Sequence, residues 1–229
     1  MSFEIALVYE SIPRIVEGIG LTLQLLFLSV VLGTAMAVVT VLMRISRIWI
    51  LEWPAFLYIY VFRGTPMLVQ LFVIYYGLPQ FQFIQDSVLW PVLREPFWCA
   101  IICFTLNAGA YTSEILRGGI QGVDKGLHEA ASALGLKKRQ RFVYITAPIA
   151  IRLSLPAYGN EVISLMKSTA LVSTITMHDV TGVARTIVAQ TFAPYEIFIS
   201  AAIVYLGIAW CLQRGLGRIE RHFNRYIKT

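Results

Sequence analysis

The sequence predicts an all-α, polytopic membrane protein with about five transmembrane helices. The chain of 229 residues is 57% hydrophobic, and only 14% of its residues are charged. Soluble domains are about 45–50% apolar and about 25% charged, whereas one bilayer-spanning helix takes about 20 apolar residues. A single transmembrane domain over residues 1–229, with one sizeable loop, is therefore the simplest organisation.

Five segments are predicted to span the membrane. The first, 21–43, contains no charge and is rich in Leu and Val. The residues before it lack the basic region of a signal peptide, so we expect this first span to remain in the mature protein. Residues 171–193, which are rich in Thr and Val, are expected to be partly re-entrant or to lie in the membrane interface. The other predicted spans are 54–78, 97–116, 153–170 and 195–212.

The basic residues predict the orientation of the chain. Most of the 19 lie in three segments, 44–53, 117–152 and the tail from Arg214 onwards, whereas the start of the chain is acidic. Positively charged loops stay in the cytoplasm, which places the N-terminus outside and the C-terminus inside. The basic residues flank spans and lack interleaved aromatic residues, so no nucleic acid partner is predicted.

Residue types that support catalysis or metal binding are sparse. Cys99, Cys103 and Cys211 lie in apolar segments and are interpreted as small apolar fillers, and the three histidines are scattered. No nucleophile–base or metal constellation is readable within the spans, so neither an enzyme, a metal site nor a cofactor is predicted. The chain also lacks a Walker A pattern, so any ATP must be hydrolysed by another subunit.

The loop 117–152 is patterned as two short helices. Asp124 is a plausible N-cap, Gly135 lies where a left-handed C-cap would end the first helix, and a second helix is expected over 137–146. The first helix carries one apolar stripe, formed by Leu127, Ala130, Ala131 and Leu134. By pattern alone, this hairpin fits equally an element lying on lipid headgroups and a docking element for a protein.

Glu129-Ala130-Ala131, Gly135 and Ala147-Pro148 together resemble the EAA loop of permease subunits of bacterial ABC importers, although the usual Leu-Pro close of that motif reads Ala147-Pro148. The resemblance extends from about residue 18 to 223. Three further segments are similar to the M-type membrane subunits of the histidine/lysine-arginine-ornithine and opine systems, which import polar amino acids: 62–66, 110–115 and 156–161.

The resemblance implies a type I importer in the bacterial inner membrane, in which this chain forms the path of the solute. Its partners would be a cytoplasmic ABC ATPase dimer, a homologous second permease that makes a heterodimer, an extracytoplasmic solute-binding protein and membrane lipid. ATP-driven closure of the ATPases would pull on the hairpin and rock the helices from inward-open to outward-open. The coupling residues would be Glu129, Ala130, Ala131, Leu134 and Gly135.

Polar residues on two predicted spans are candidates for solute contact. In the fourth span, Asn160 and Ser164 share one face with Lys167, and Glu161 lies on an adjacent strip. Polar groups at such depth face the bundle interior or a water-filled path, and the alternative is hydrogen bonding between helices. We expect Glu161 to bind the positive charge of a cationic amino acid or opine.

The third span offers Asn107, Tyr111 and Glu114 on one face. Asn107 and Tyr111 are predicted to contact the solute, whereas Glu114 is expected to pair with Arg117. Arg63 is expected to have a snorkelling or structural role. The function predicted is therefore import of a polar, cationic solute; the alternative is a non-transporting membrane scaffold or receptor subunit, which would not need polar faces inside its spans.

Overall fold

The computed structural model describes residues 5–223, and every regular element within this range is helical, as predicted. A π-helical turn follows α4 and another precedes α10, and a 3-10 segment, Thr169–Ile175, follows α10. The α-helices are Ile5–Val16 (α1), Ile19–Ile45 (α2), Trp49–Gly64 (α3), Met67–Phe72 (α4), Gln82–Gln85 (α5), Trp90–Leu93 (α6), Pro96–Gln121 (α7), Lys125–Ala133 (α8), Lys138–Arg141 (α9), Ala147–Ser168 (α10), Val180–Thr191 (α11) and Pro194–Phe223 (α12).

By length and composition, α2, α7 and α12 could each cross a membrane, and these helices contain the first, third and fifth predicted spans. The second predicted span is broken: Trp49–Gly64 and Met67–Gln80 form one crossing only if a bend of 106° is allowed between them. The helix α10, which holds most of the predicted fourth span, is long enough to cross a membrane but is not apolar enough to be counted as a crossing. Three or four segments are thus long and apolar enough to cross a membrane, where about five spans were expected. The helix α10 is not counted because its polar residues lower its mean hydropathy.

The break between α3 and α4 has a local cause. Thr65 is extended, with φ −117° and ψ 146°, because the ring of the following Pro66 disfavours helical backbone in the residue before it. The Thr65 hydroxyl donates to the carbonyl oxygen of Val61 at 2.8 Å, which satisfies one acceptor at the end of α3. The bend within this span was not predicted from the sequence.

The long helices pack around α7, which contacts α2, α3 and α10. Small residues allow the closest approach: a Cβ at Gly119 of α7 would lie 2.1 Å from the Oγ of Ser154 and 2.5 Å from the carbonyl oxygen of Ala150, both in α10. Close packing through small residues is the usual means by which helices associate in a bilayer. The core between these helices contains fully buried Phe104, Leu165 and Met166.

Residues 171–193 form no span of their own. The 3-10 segment ends at Ile175, and Asp179 is the N-cap of α11: its carboxylate accepts a hydrogen bond from the Gly182 amide at 2.9 Å. The hydroxyl of Tyr205 in α12 donates to the same carboxylate at 2.8 Å. The segment therefore packs on α12, and its predicted re-entrant or interfacial placement stays a prediction, as does the orientation of the termini. Of the predicted basic tail, Arg225 and Lys228 lie outside the described residues.

Candidate coupling surface and translocation path

The predicted caps of the hairpin helix are confirmed. The Asp124 carboxylate accepts a hydrogen bond from the Gly126 amide at 2.6 Å, at the start of α8. Gly135 has a φ of 76°, which glycine adopts without steric cost, and it follows the last turn of α8. The Leu136 amide donates to the Ala131 oxygen at 3.1 Å and the Gly135 amide to the Ser132 oxygen at 3.0 Å. These two bonds form a Schellman motif.

The second arm of the hairpin is not a separate helix, as had been predicted for 137–146. The helix α9 and the π-helical turn Phe142–Thr146 lead directly into α10. The backbone is right-handed helical at both junctions, Phe142 and Ala147, so the arm is the first part of one long rod. The two arms are tied together by the guanidinium of Arg141, which donates to the Ser132 hydroxyl.

The apolar stripe of α8 is divided between the inside and the outside of the hairpin. Ala131 is 2% exposed and packs inward, whereas Leu134 is 81% exposed and Leu127 is 43% exposed. Glu129 and Ala130 are exposed as well. A leucine so exposed at the tip of a capped, tied hairpin gives this chain a small apolar surface with no internal partner among the described residues.

The polar residues of α10 lie on two sides of the helix. Asn160 and Lys167 line a cavity of about 600 Å³ between α10 and α12. Ser164 is exposed on the same side. Glu161 instead is half-buried and faces a narrow crevice between α2, α7 and α10, next to Thr34 and Tyr158. The hydroxyls of those two residues are hydrogen-bonded to each other at 2.7 Å.

Glu161 makes no hydrogen bond or ion pair with any residue that the structure describes. A half-buried carboxylate without a local partner favours a cation from outside the chain, because leaving such a group unpaired in an apolar region is costly. Its role in solute binding stays a prediction.

Asn107 makes hydrogen bonds within the chain, and its predicted contact with the solute stays a prediction. It is 4% exposed, and its amide nitrogen donates to the Phe62 oxygen at 3.2 Å and to the Gln70 Oε1 at 3.0 Å. The Gln70 amide nitrogen in turn donates to the oxygens of Phe62 and Thr65 at 2.9 and 3.0 Å. Asn107 and Gln70 together thus supply donors to backbone carbonyl oxygens at the end of α3, where the span is broken. The sequence analysis did not identify Gln70 as a functional residue. The one feature that could have indicated it is its polar amide side chain within an otherwise apolar predicted span.

Tyr111 lies one turn further along α7. Its hydroxyl donates to the backbone oxygen of Arg63 at 3.4 Å, and the Arg63 guanidinium lies over its ring at 5.1 Å from the centroid. Tyr111 therefore contacts α3 directly, and its predicted contact with the solute would be made by the part of the side chain that lines a cavity between these helices.

The predicted pairing of Glu114 with Arg117 is confirmed by three hydrogen bonds of 2.6–3.0 Å. Two further arginines, which were not expected to be its neighbours, approach the same carboxylate: Arg63 at 3.9 Å and Arg44 at 4.0 Å. Arg44 also pairs with Glu52 at 3.2 Å. These long-range contacts join α2, α3 and α7 at the end nearest the hairpin.

Comparison with known proteins identifies the family. Residues 29–225 match the family described as binding-protein-dependent transport system inner membrane component. The chain belongs to this family. Its members are transport permease components and not enzymes, so the predicted resemblance to ABC importer permeases is confirmed, and the transporting interpretation is supported over the scaffold or receptor alternative.

Several curated permeases are similar over nearly the whole chain. The nopaline transport system permease protein NocM of Agrobacterium fabrum (strain C58) is 47% identical over 227 residues, which cover 99% of this permease and 94% of the relative. The octopine transport system permease protein OccM of Rhizobium radiobacter is 45% identical, covering 93% and 87%. The histidine/lysine/arginine/ornithine transport system permease protein HisM of Escherichia coli K12 is 39% identical, covering 92% and 89%.

Solved structures agree with the fold. A chain of an amino acid ABC transporter crystallised with histidines is 36% identical, with a TM-score of 0.86 over 97% of this permease and 100% of that chain. A chain of the MetNI methionine ABC transporter, in an inward-facing conformation, has a TM-score of 0.75 at 18% identity, over 93% and 98% of the two chains. The second likeness establishes the type of fold alone.

Proposed function

We propose that this permease forms the translocation path of an ATP-driven importer of cationic amino acids or opines. The observation that carries the proposal is Glu161, a half-buried carboxylate that no described residue pairs at hydrogen-bonding distance, in a crevice between three helices. An ammonium or guanidinium is the natural partner of such a group. The relatives named for octopine, nopaline, histidine, lysine, arginine and ornithine support this class of solute.

The exposed face of α8 is the proposed contact with the ATPase. Leu134 and Leu127 supply exposed apolar side chains. Glu129 adds an exposed charge, and the small side chain of Ala130 allows a partner to approach closely. The Schellman motif and the bond between Arg141 and Ser132 fix this surface relative to α10. A surface that is held rigidly can transmit a force, and a mobile loop cannot.

The proposal includes a heterodimer with a homologous second permease, a cytoplasmic ATPase dimer and an extracytoplasmic solute-binding protein. Similarity to permeases of M type supports the heterodimer. The clustering of basic residues around the hairpin and at the end of α12 supports a cytoplasmic location for both, and hence an external N-terminus.

The test is ATP-dependent uptake of labelled arginine and octopine by proteoliposomes that contain this permease with its partner subunits and receptor. Glu161→Gln keeps the shape of the side chain and removes its charge. We expect uptake to fall about ten-fold or more, while the complex assembles and receptor-stimulated ATP hydrolysis persists in part.

The matched control is Glu17→Gln, which removes the same charge from an exposed position between α1 and α2 and should transport normally. Uptake by Glu161→Gln at the wild-type rate would show that Glu161 only joins helices, because an amide bonds between helices as well as a carboxylate does.

A further inference from the structure

The last helix, α12, is longer than a membrane crossing requires. It runs over 30 residues, Pro194–Phe223, and is therefore about 45 Å long, whereas the hydrocarbon core of a bilayer is about 30 Å thick. Its apolar part ends near Leu212, and three arginines follow: Arg214, Arg218 and Arg221. The end of α12 thus extends beyond the hydrocarbon, through the depth at which lipid headgroups lie.

These three arginines, called here the arginine stripe, are exposed and lie on one side of the helix. Successive residues of an α-helix are turned by about 100°, so the three positions fall within about 60° of one another. The stripe continues towards the membrane as exposed apolar side chains on the same side of α12: Ile199, Ile203 and Trp210. This order of side chains matches the change from acyl chains to headgroups along a bilayer.

Another side of the same segment packs within the chain. Gln213, Leu216 and Glu220 line a cavity of about 310 Å³ between α12 and α10, and the three arginines do not. Leu216 lies next to Gly159 of α10, where an added Cβ would be 3.8 Å from the leucine Cδ1. Glu220, the one carboxylate in the sequence from 213 to 223, therefore faces α10 rather than the arginine stripe.

Among residues 5–223, the arginine stripe has no counter-charge. None of its three members forms an ion pair within this range. The Arg214 guanidinium lies over the Trp210 ring, 4.2 Å from its centroid, and the Nε of Arg221 donates to the Gly217 oxygen at 3.1 Å. Attraction to the helix dipole acts only in the last turn, so it does not account for Arg214.

The geometry of the helix directs these arginines towards the membrane. Each Cα–Cβ bond of an α-helix is tilted towards the N-terminus of the helix, and the part of α12 on the N-terminal side of the stripe is the apolar part. Long arginine side chains extend this reach, since their apolar stems lie along apolar surface while the charge stays in water. Trp210 lies at the boundary, the position that tryptophan favours in membrane proteins.

We propose that the arginine stripe, together with Trp210, binds anionic phospholipid. The guanidinium groups bind the phosphate oxygens, which match their planar donors, and the acyl chains lie along Ile203 and Trp210. Basic residues immediately beyond a membrane-spanning helix attract anionic lipid, and the absence of a carboxylate beside these three leaves their charge available within the described chain. The site concerns the lipid around the permease and not its solute, so it goes beyond the proposed function.

The test measures which lipid lies next to Trp210. The complete transporter is placed in phosphatidylcholine nanodiscs that contain increasing fractions of phosphatidylglycerol with brominated acyl chains, which quench tryptophan fluorescence on contact. Brominated phosphatidylcholine is the reference, and the difference between the wild type and Trp210→Phe isolates the Trp210 signal. We expect phosphatidylglycerol to lie beside Trp210 at least about five-fold in preference to phosphatidylcholine.

Replacing all three arginines of the stripe by glutamine should bring this preference to within about two-fold of none, because the charges are removed. Replacing the same three by lysine keeps the charges, and the preference should stay within about two-fold of the wild type. The lysine variant thus separates the loss of charge from a loss of folding. Each variant is measured with and without Trp210→Phe.

The matched control removes the same charge from three exposed arginines outside the stripe, each of which has a partner in the chain. Arg14 donates to Gln190 at 3.0 Å, Arg94 pairs with Glu95 at 3.7 Å, and Arg185 donates to the backbone oxygen of Ser173 at 3.0 Å. Replacing these three by glutamine should leave the lipid preference at Trp210 unchanged. Loss of the preference in this control, or in the lysine variant, would overturn the proposal.

Three other results would also overturn it. Equal quenching by the two lipids in the wild type, or an unchanged preference in the glutamine variant of the stripe, would mean that the arginines do not select the lipid. A Trp210 signal that neither lipid quenches would show that protein covers this face. If the glutamine variant loses the ATPase during affinity purification and keeps its lipid preference, the stripe contacts that subunit instead. Uptake plays no part in the measurement, so the proposed function stands or falls separately.

Discussion

The amide nitrogen of Asn107 lies 3.0 Å from the Oε1 of Gln70, and this bond joins the straight helix α7 to the break between α3 and α4. The amide nitrogen of Gln70 in turn donates to three acceptors at the end of α3: the carbonyl oxygens of Phe62 and Thr65 and the hydroxyl of Thr65. The bend of 106° is therefore held by a buried amide pair as well as by Pro66. Since Arg63 and Gly64 precede the bend directly, the same pair sets the shape of the cavity they line.

Asn107→Leu should destabilise the permease by about 1–3 kcal/mol, because the Gln70 oxygen and the Phe62 carbonyl lose a buried donor. The midpoint of thermal denaturation of the purified complex in detergent measures this. Asn160→Leu is the matched control, since Asn160 is exposed on α10. An equal, small shift for both variants would mean that the amide pair does not hold the bend.

Gly119 and its neighbour Gly118 offer a direct comparison on α7. A methyl group at Gly119 would collide with Ser154 and the Ala150 oxygen, whereas one at Gly118 would meet nothing within 4 Å. Gly119→Ala should therefore cost about 1–3 kcal/mol of stability and reduce the yield of folded protein. Gly118→Ala should be neutral or slightly stabilising, as alanine favours helix. Comparable thermal midpoints for the two variants would contradict the close packing of α7 on α10.

Leu134 gives the sharpest test of the coupling surface. Leu134→Glu places a charge in the apolar centre of the face without touching the core, since the side chain is 81% exposed. We expect the ATPase to dissociate during affinity purification and uptake to be lost, while the permease still inserts. Val88→Glu, at a position 95% exposed on the loop between α5 and α6, should retain the ATPase. Normal retention by Leu134→Glu would place the ATPase elsewhere.

The composition of the membrane complex can be tested by omission. Expression of this permease with its ATPase and without a homologous permease should give no assembled, ATP-hydrolysing transporter, because the proposed path needs two different halves. Co-purification followed by native mass spectrometry counts the copies. An active complex with two copies of this chain and no other permease would show a homodimer.

Local chemistry explains what could be predicted from the sequence. Asp124 and Gly135 act on backbone groups within a few residues of themselves, and so their caps, and the pairing of Glu114 with Arg117 one turn away, were predicted correctly. Helical periodicity alone likewise puts Glu161 on a different strip of α10 from Asn160, and the two residues do line different cavities.

Long-range pairing explains what could not be predicted. Asn107 meets Gln70 across 37 positions of the chain, and Arg44 of α2 meets Glu114 of α7 although four α-helices separate them in sequence. No local pattern encodes those partners. The continuity of α9 with α10 was missed for a related reason: Pro148 lies at the start of α10, where a proline fits a helix, but in the sequence it reads as a boundary.

That continuity has a thermodynamic consequence. The rod that begins at the tip of the hairpin also carries Glu161, so a displacement imposed at one end changes the surroundings of the carboxylate at the other. Linkage between two binding events is reciprocal: if nucleotide binding to the ATPases alters the affinity of the crevice for solute, solute in the crevice must alter the affinity of the ATPases for nucleotide by the same factor. Solute bound in the crevice would then change nucleotide binding by the ATPases directly, through the backbone of one continuous helix.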